Sequence, residues 1–172
     1  MNTITLTQKD FKDGIYVGET DLTDIKGNLV IEATGLLRFN TYISAKGGIY
    51  AKGGISAEGD ISAKGGIYAK GGISAEGDIS AKGGILKAGY GITAGLKIYA
   101  KTTIESGMRI FAGTAPWSWI TKEHSEIKCG KLLKGEIAYG NLIETGLEEK
   151  SLIGTEVTVT VGDKTYKAVI KE

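Results

Sequence analysis

Isoleucine recurs at every sixth position through the centre of the chain, and the residues between these isoleucines alternate between apolar and polar. The segment ISAKGGIYAKGGISAEGD at 43–60 is repeated without change at 61–78, so three hexads form one repeat of 18 residues. Within ISAKGG, Ile and Ala would point to one side and Ser and Lys to the other, as in a short strand with one buried face. Three strands per repeat predict an all-β fold, a single-stranded triangular β-helix with one repeat per coil.

The predicted core register extends well beyond the two perfect repeats. Within the hexads it places in the core Ile43, Ile49, Ile55, Ile61, Ile67, Ile73, Ile79 and Ile85. It continues backward through Leu37, Ile31 and Ile25 and, after one inserted residue near 89–91, forward through Ile92, Ile98, Ile104 and Ile110. Stacking at about 4.8 Å would pair the backbone of each coil with its neighbours. These positions predict about five coils over residues 25–115.

Glycine is the unusual component of the composition, with 27 residues against a single proline. Most glycines close a hexad as Gly-Gly or Gly-Asp, and the collagen period with abundant proline is missing. Two glycines per hexad also disfavour a helix, at about 1 kcal/mol each. We therefore expect these pairs to form tight corners in which glycine supplies a positive φ.

The hexads, as they stand in ISAEGDISAKGGIYAKGG, resemble the repeats of bactofilins, which form a right-handed triangular β-helix that polymerises end to end. They are also similar to the hexapeptide pattern of the left-handed β-helix acyltransferases. The resemblance covers about residues 25–115 and implies the architecture, while the handedness stays open. Bactofilins have only short tails beside the β-helix, whereas this chain is expected to carry a small C-terminal β-rich domain.

Two flanking segments are expected beside the β-helix. Residues 1–24 open with the strand-like TITLT and are predicted to form an N-terminal cap, which would block polymerisation through that end. Residues 116–172 are predicted to form a small C-terminal β-rich domain, with a terminal hairpin in VTVTVGDKTYKAVI. In the WSWI segment, Trp117 and Trp119 would either cap the isoleucine core or form an exposed aromatic patch.

Charge is predicted to segregate by face, although the formal net charge is only +1. One face would carry Lys46, Lys64, Lys82 and Lys101 beside Ser44, Ser62 and Ser80, and a second Lys52 and Lys70 beside Tyr50 and Tyr68. The third would carry Glu58 and Glu76 beside Ser56 and Ser74, with Asp60 and Asp78 at its corner. Duplication of one 18-residue coil would by itself produce such columns. The alternative is that the columns bind a partner of opposite charge. The predicted interaction residues are Lys46, Lys64, Lys82, Lys52, Lys70, Tyr50, Tyr68, Trp117 and Trp119.

The residue types needed for catalysis are scarce, so we do not expect an enzyme or a cofactor. Hexapeptide acyltransferases use a histidine as general base, but the single histidine, His124, lies beyond the last predicted coil and is expected to be an exposed surface residue. The single cysteine, Cys129, has no partner for a disulfide. The corner aspartates could hold Ca²⁺ only weakly, and no metal site is predicted.

The leading functional prediction is a non-catalytic structural or interaction protein that presents rigid charged faces for self-assembly or protein binding. Its partner would be another protein or a second copy in a homo-oligomer. The lysine columns would suit an acidic or nucleic-acid-containing partner. The alternative is a phage or mobile-element inhibitor of a host defence complex that processes nucleic acid, in the manner of an anti-CRISPR protein. A hexapeptide acyltransferase is the last alternative. Without a signal peptide or membrane segment in the sequence, a cytoplasmic location is expected.

Overall fold

A computed structural model describes residues 2–116, 121–147, 156–161 and 164–169, the last two segments as backbone only. A 17-stranded sheet winds into a β-solenoid of about 6 turns with about 18 residues per turn, which confirms the predicted fold class. The turns are stacked in parallel, and through the repeats each strand pairs with the strand three places later in the chain, from β4 with β7 to β12 with β15. The solenoid therefore has three faces, each a column of parallel strands.

The strands are divided among the faces as follows. The first face contains β6 (Ile43–Ala45), β9 (Ile61–Ala63), β12 (Ile79–Ala81), the starts of β15 (Ile98–Ala112) and β16 (Glu126–Tyr139), and β17 (Asn141–Glu144). The second contains β1 (Thr3–Leu6), β4 (Asn28–Ile31), β7 (Ile49–Ala51), β10 (Ile67–Ala69), β13 (Leu86–Ala88) and the middle of β15 and of β16. The third contains β3 (Ile15–Tyr16), β5 (Leu36–Phe39), β8 (Gly54–Ala57), β11 (Ile73–Ala75), β14 (Ile92–Ala94) and the ends of β15 and β16.

The core is a set of isoleucine and alanine ladders that run along the solenoid axis. In the repeats Ile stacks on Ile and Ala on Ala, and the isoleucines of 43–79 are at most 1% exposed. The backbone is hydrogen bonded between turns: the Ile49 N–H donates to the Gly66 carbonyl at 3.0 Å, and the Lys64 N–H donates to the Ala45 carbonyl at 2.9 Å. Each turn thus satisfies the polar backbone of its neighbours while it extends the core.

The inserted residue lies earlier than the sequence analysis placed it. Ile67 pairs with Leu86, 19 positions later, whereas Leu86 pairs with Ile104 after the ordinary 18. The extra residue is therefore at 83–85 and not near 89–91, and Ile85 is a half-buried corner residue outside the core ladder. The physical reason is the order of residues in Leu86-Lys87-Ala88, which is the apolar, polar, small order of the hexads. A core register through Ile85 would instead bury Lys87 and expose Leu86 and Ala88.

The predicted register is also wrong before residue 37. The observed pairs are Leu29 with Ile49, Ile31 with Ala51 and Ile25 with Ala45. Leu29 therefore stacks on Ile49 in the ladder of large core residues, at the position where the prediction had placed Ile31. The chain between Leu29 and Leu37 is two residues longer than a hexad, and it turns at Gly35, whose φ is +89°. Ile31 and Ile25 are nevertheless buried, at the small-residue positions of the first turns.

The N-terminal segment adds backbone pairing to the first turns. Strand β1 pairs in parallel with β4, and it is followed by a 3₁₀ helix (Gln8–Asp10) and by β2 (Phe11–Lys12), which pairs antiparallel with β3. Phe11, Tyr16 and Phe39 pack their rings together, with centroids 5.6–5.7 Å apart. This aromatic cluster closes the side of the core at β5.

The solenoid has about 6 turns, where the sequence analysis expected about five coils, because strands beyond residue 115 continue the stack. Strand β16 pairs with β15 along its length, including Ile127 on Ile98 and Leu132 on Ile104, and β17 pairs with the start of β16. A second 3₁₀ helix (Lys122–Ser125) precedes β16. The predicted hairpin is confirmed as β18 (Glu156–Val161) paired antiparallel with β19 (Lys164–Val169) in a separate sheet.

The glycine corners of the repeats do not use positive φ, contrary to the prediction. Among the described residues six glycines have positive φ, and none of them lies in 43–84. Glycine is needed there because successive corners approach closely: a Cβ on Gly53 would lie 2.3 Å from the Gly35 carbonyl oxygen. Close contact between stacked backbones, and not the turn conformation, excludes side chains at corner positions such as Gly53 and Gly71.

Candidate binding surface

The predicted lysine column of the first face is present and exposed. Lys46, Lys64 and Lys82 each follow a strand of this face directly, and Lys101 continues the column one turn higher. Beside them, at the middle of each strand, are Ser44, Ser62 and Ser80, which pair in register. The lysines therefore stand near the corner that joins the first face to the second, one per turn.

The two tyrosines of the second face form a stacked pair. The rings of Tyr50 and Tyr68 have centroids 5.3 Å apart and are inclined by only 3°. Each ring extends back over the glycine two positions earlier, since a Cβ on Gly48 or Gly66 would lie 2.6 Å from an atom of the ring or its hydroxyl. The tyrosines thus reach toward the same corner as the lysines. We call this set the lysine–tyrosine edge: Lys46, Lys64, Lys82, Tyr50 and Tyr68.

Lys52 and Lys70 lie on the other side of the tyrosine pair, near the next corner. Between them and the tyrosines runs a shallow groove of about 550 Å³, with Ala51 and Ala69 in its floor and Val30 and Lys87 at its two ends. The groove is thus apolar at its base and bordered by cationic groups. The sequence analysis missed Lys87 because it misplaced the insertion.

Ion pairs neutralise the lysine columns only in the outer turns. Lys46 lies 3.4 Å from Asp24, Lys52 lies 3.4 Å from Glu32 and Lys87 lies 2.6 Å from Glu105. The pKa of Asp24 is lowered, first by its hydrogen bond to Lys26 and further by Lys46. In the central repeats, by contrast, Lys64, Lys70 and Lys82 have no acidic partner in the part of the chain that the structure describes.

The acidic column of the third face likewise has no ion pairs among the described residues of the central turns. Glu58 and Glu76 are exposed, one turn apart, beside Ser56 and Ser74, and within the described ranges neither has a basic partner. Like charges stacked at about 5 Å repel by about 1 kcal/mol per pair in water, and salt weakens the effect. The central turns therefore carry uncompensated charge of opposite sign on different faces.

The corner aspartates have a structural role. The Asp60 Oδ1 accepts a hydrogen bond of 2.8 Å from the Asp78 N–H, and the Asp78 Oδ1 accepts one of 2.7 Å from the Lys97 N–H. Asn28 does the same for Gly48 at an earlier turn. These side chains thus connect successive corners. In the described segments no group of three or more side chains is placed to hold a metal ion.

The residues considered for catalysis occupy local structural positions. His124 is half-buried, not exposed as predicted. Its Nδ1 accepts a hydrogen bond of 3.2 Å from the Thr121 N–H and lies 2.9 Å from the Thr121 Oγ1. This contact holds the 3₁₀ turn before β16. Trp117 and Trp119 lie outside the described residues, so their predicted role, as a cap of the isoleucine core or as an exposed aromatic patch, stays a prediction.

Cys129 takes the small-residue position of the last turn, stacked on Ala100 and paired with Glu144. Burial raises the pKa of its thiol from 9.0 to about 11, and the negative charge of Glu144 adds to the rise. Since the thiolate is the nucleophile, a thiol with this pKa is unreactive at neutral pH. Cys129 therefore serves packing.

We expect Cys129 to make the solenoid less stable at alkaline pH. Because its folded pKa lies above the unfolded value, its contribution is complete below about pH 9 and is lost as the pH rises toward 11. The loss should reach about 1–2 kcal/mol near pH 10.5. Urea unfolding of the wild type and Cys129→Ala at two pH values measures it, because every other ionisable group is common to both proteins. The same pH dependence in both would contradict the assignment.

Comparison of the chain with protein-family models, with curated proteins and with solved structures finds no match. Among the described residues, no helix has the length and apolar character required to cross a membrane. The chain is therefore identified by its architecture alone, as a β-solenoid with 18-residue turns.

Proposed function

We propose that the protein is a non-catalytic interaction scaffold that binds an acidic protein surface through the lysine–tyrosine edge and the adjoining groove. The observation that carries the proposal is the uncompensated charge of Lys64, Lys70 and Lys82 beside the stacked tyrosines, in a chain whose outer turns pair their lysines internally. A basic surface maintained in this way favours carboxylates and repels basic partners. The resemblance of the hexads to bactofilin repeats supports an assembly role.

The solenoid suits this function because its surface is rigid before binding. Tyr50 and Tyr68 belong to strands that are hydrogen bonded to the turns on both sides. Their rings are further restrained by contact with each other and with the glycine corners. Tyrosines that are already ordered lose little conformational entropy on binding, and such residues contribute strongly to interfaces.

The direct test is removal of two central lysines. Lys64→Ser/Lys82→Ser should weaken binding about tenfold, because two exposed ion pairs of up to about 1 kcal/mol each are lost. Binding is measured in two ways: as self-association, by light scattering after size exclusion, and as capture of other proteins from lysate, by quantitative mass spectrometry. The matched control is Lys9→Ser/Lys12→Ser, which removes two exposed lysines of the N-terminal segment. If both measurements are unchanged in the central variant, the proposal is wrong.

A further inference from the structure

Two charged columns on different faces of the central turns have matching dimensions and opposite sign. Lys64 and Lys82 follow β9 and β12 of the first face, and Glu58 and Glu76 follow β8 and β11 of the third. All four are exposed, and within the described part of the chain none of the four has a partner of opposite charge. Within these central turns each column contributes two charges, separated by one turn, or about 4.8 Å.

We infer that the acidic surface recognised by this chain is the third face of a second copy, so that solenoids associate side by side. The inference rests on the proposed function, because it uses the same lysines, and it names their partner. Since both columns repeat once per turn, two ion pairs can form at once without distortion of either solenoid. The uncompensated charges of the central turns would then be neutralised between molecules.

The side chains next to the two columns allow the faces to approach. At the middle of the first face stand Ser44, Ser62 and Ser80, and at the middle of the third face stand Ser56 and Ser74. Serine projects little from a sheet, so a lysine and a glutamate that stand beside these columns can meet across the contact. The second face is different, because Tyr50 and Tyr68 occupy its middle positions.

The order of residues along the strands determines the relative direction of the two copies. On both faces the charged residue follows the serine by two positions, so both charged columns lie on the same side of their serine column when viewed from outside. Parallel solenoid axes would place the two columns at opposite borders of the contact. Antiparallel axes bring them together, with Lys64 opposite Glu76 and Lys82 opposite Glu58.

This contact joins unlike faces, so a pair of joined molecules retains one free lysine face and one free glutamate face. Contacts between unlike surfaces do not saturate at a dimer unless they close into a ring. Exposed ion pairs are weak and are screened by salt. Association should therefore grow with protein concentration and fall as salt is added.

A charge-swap series tests the inference on the full chain. The first variant, Lys64→Glu/Lys82→Glu, makes both faces acidic, and the second, Glu58→Lys/Glu76→Lys, makes both basic. In light scattering at low salt, the wild type should increase in mass with concentration, and each variant alone should stay monomeric. An equimolar mixture of the two variants should associate again, as should the variant that carries all four substitutions. Circular dichroism of each protein checks that the solenoid is folded.

Several results would overturn the inference: a wild type that stays monomeric at high concentration and low salt, single-column variants that associate like the wild type, or a mixture that does not associate. These results are separable from failure of the proposed function. If the wild type is monomeric but captures another protein through Lys64 and Lys82, the scaffold proposal stands and the self-association is wrong. If removal of these lysines changes neither self-association nor capture, both are wrong.

Discussion

Leu86→Ala is expected to lower the free energy of unfolding by about 3 kcal/mol, whereas Ile85→Ala should lower it by about 1 kcal/mol or less. Leu86 is 0% exposed, and it continues the core ladder between Ile67 and Ile104. Its truncation would leave a cavity enclosed by neighbouring turns that are hydrogen bonded in place. Ile85 is only half-buried, and what it contributes to the sheet is its backbone carbonyl, which accepts from the Ile67 N–H.

Urea unfolding monitored by circular dichroism measures both variants against the wild type. The comparison is well matched, because adjacent residues of nearly equal size are shortened to the same side chain. If Ile85→Ala were the more damaging change, Ile85 would be the core residue and the insertion would lie after it. Equal losses would mean that the packing around the insertion does not distinguish the two positions.

The perfect repeats made the central turns predictable. A hexad with Ile, a polar residue and Ala in order defines which residues are buried, and two identical repeats define which residues stack. The charged columns followed directly from this register, and the structure places Lys64, Lys82, Glu58 and Glu76 as the period requires. Sequence alone was sufficient here because every turn repeats the same local chemistry.

Prediction failed where the turns depart from the repeat. Spacing alone allowed Ile85 to stay in the core register, and only the order of residue types in Leu86-Lys87-Ala88 shows that it does not. The last turn was missed because β16 has no hexad pattern and pairs with β15 through several register shifts. The ion pair of Lys52 with Glu32 spans 20 positions and depends on the irregular register before residue 37, so it could not be derived from a period of 18.

The corner glycines were predicted for an incorrect reason, and the correct reason leads to the second large expected effect. Gly71→Ala should destabilise the solenoid by about 3 kcal/mol, while Gly72→Ala should change stability by about 1 kcal/mol at most. A Cβ on Gly71 would lie 2.5 Å from the Gly54 nitrogen and 2.6 Å from its Cα. A Cβ on Gly72 would come no closer than 3.2 Å to the Gly91 carbonyl oxygen, and its next contacts would be at 3.9 Å.

The two substitutions add the same methyl group at neighbouring positions and reduce the entropy of the unfolded chain equally. Their difference therefore reports the contact between stacked corners. Backbone atoms cannot rotate away as a side chain can, so relief of the Gly71 clash requires the turns to separate and strains the adjacent hydrogen bonds, such as the 3.0 Å bond from the Gly71 N–H to the Gly53 carbonyl. Thermal and urea unfolding of both variants measure the difference. Equal stability of the two variants would contradict this explanation, because the close stacking of one corner on the next would then not distinguish Gly71 from Gly72.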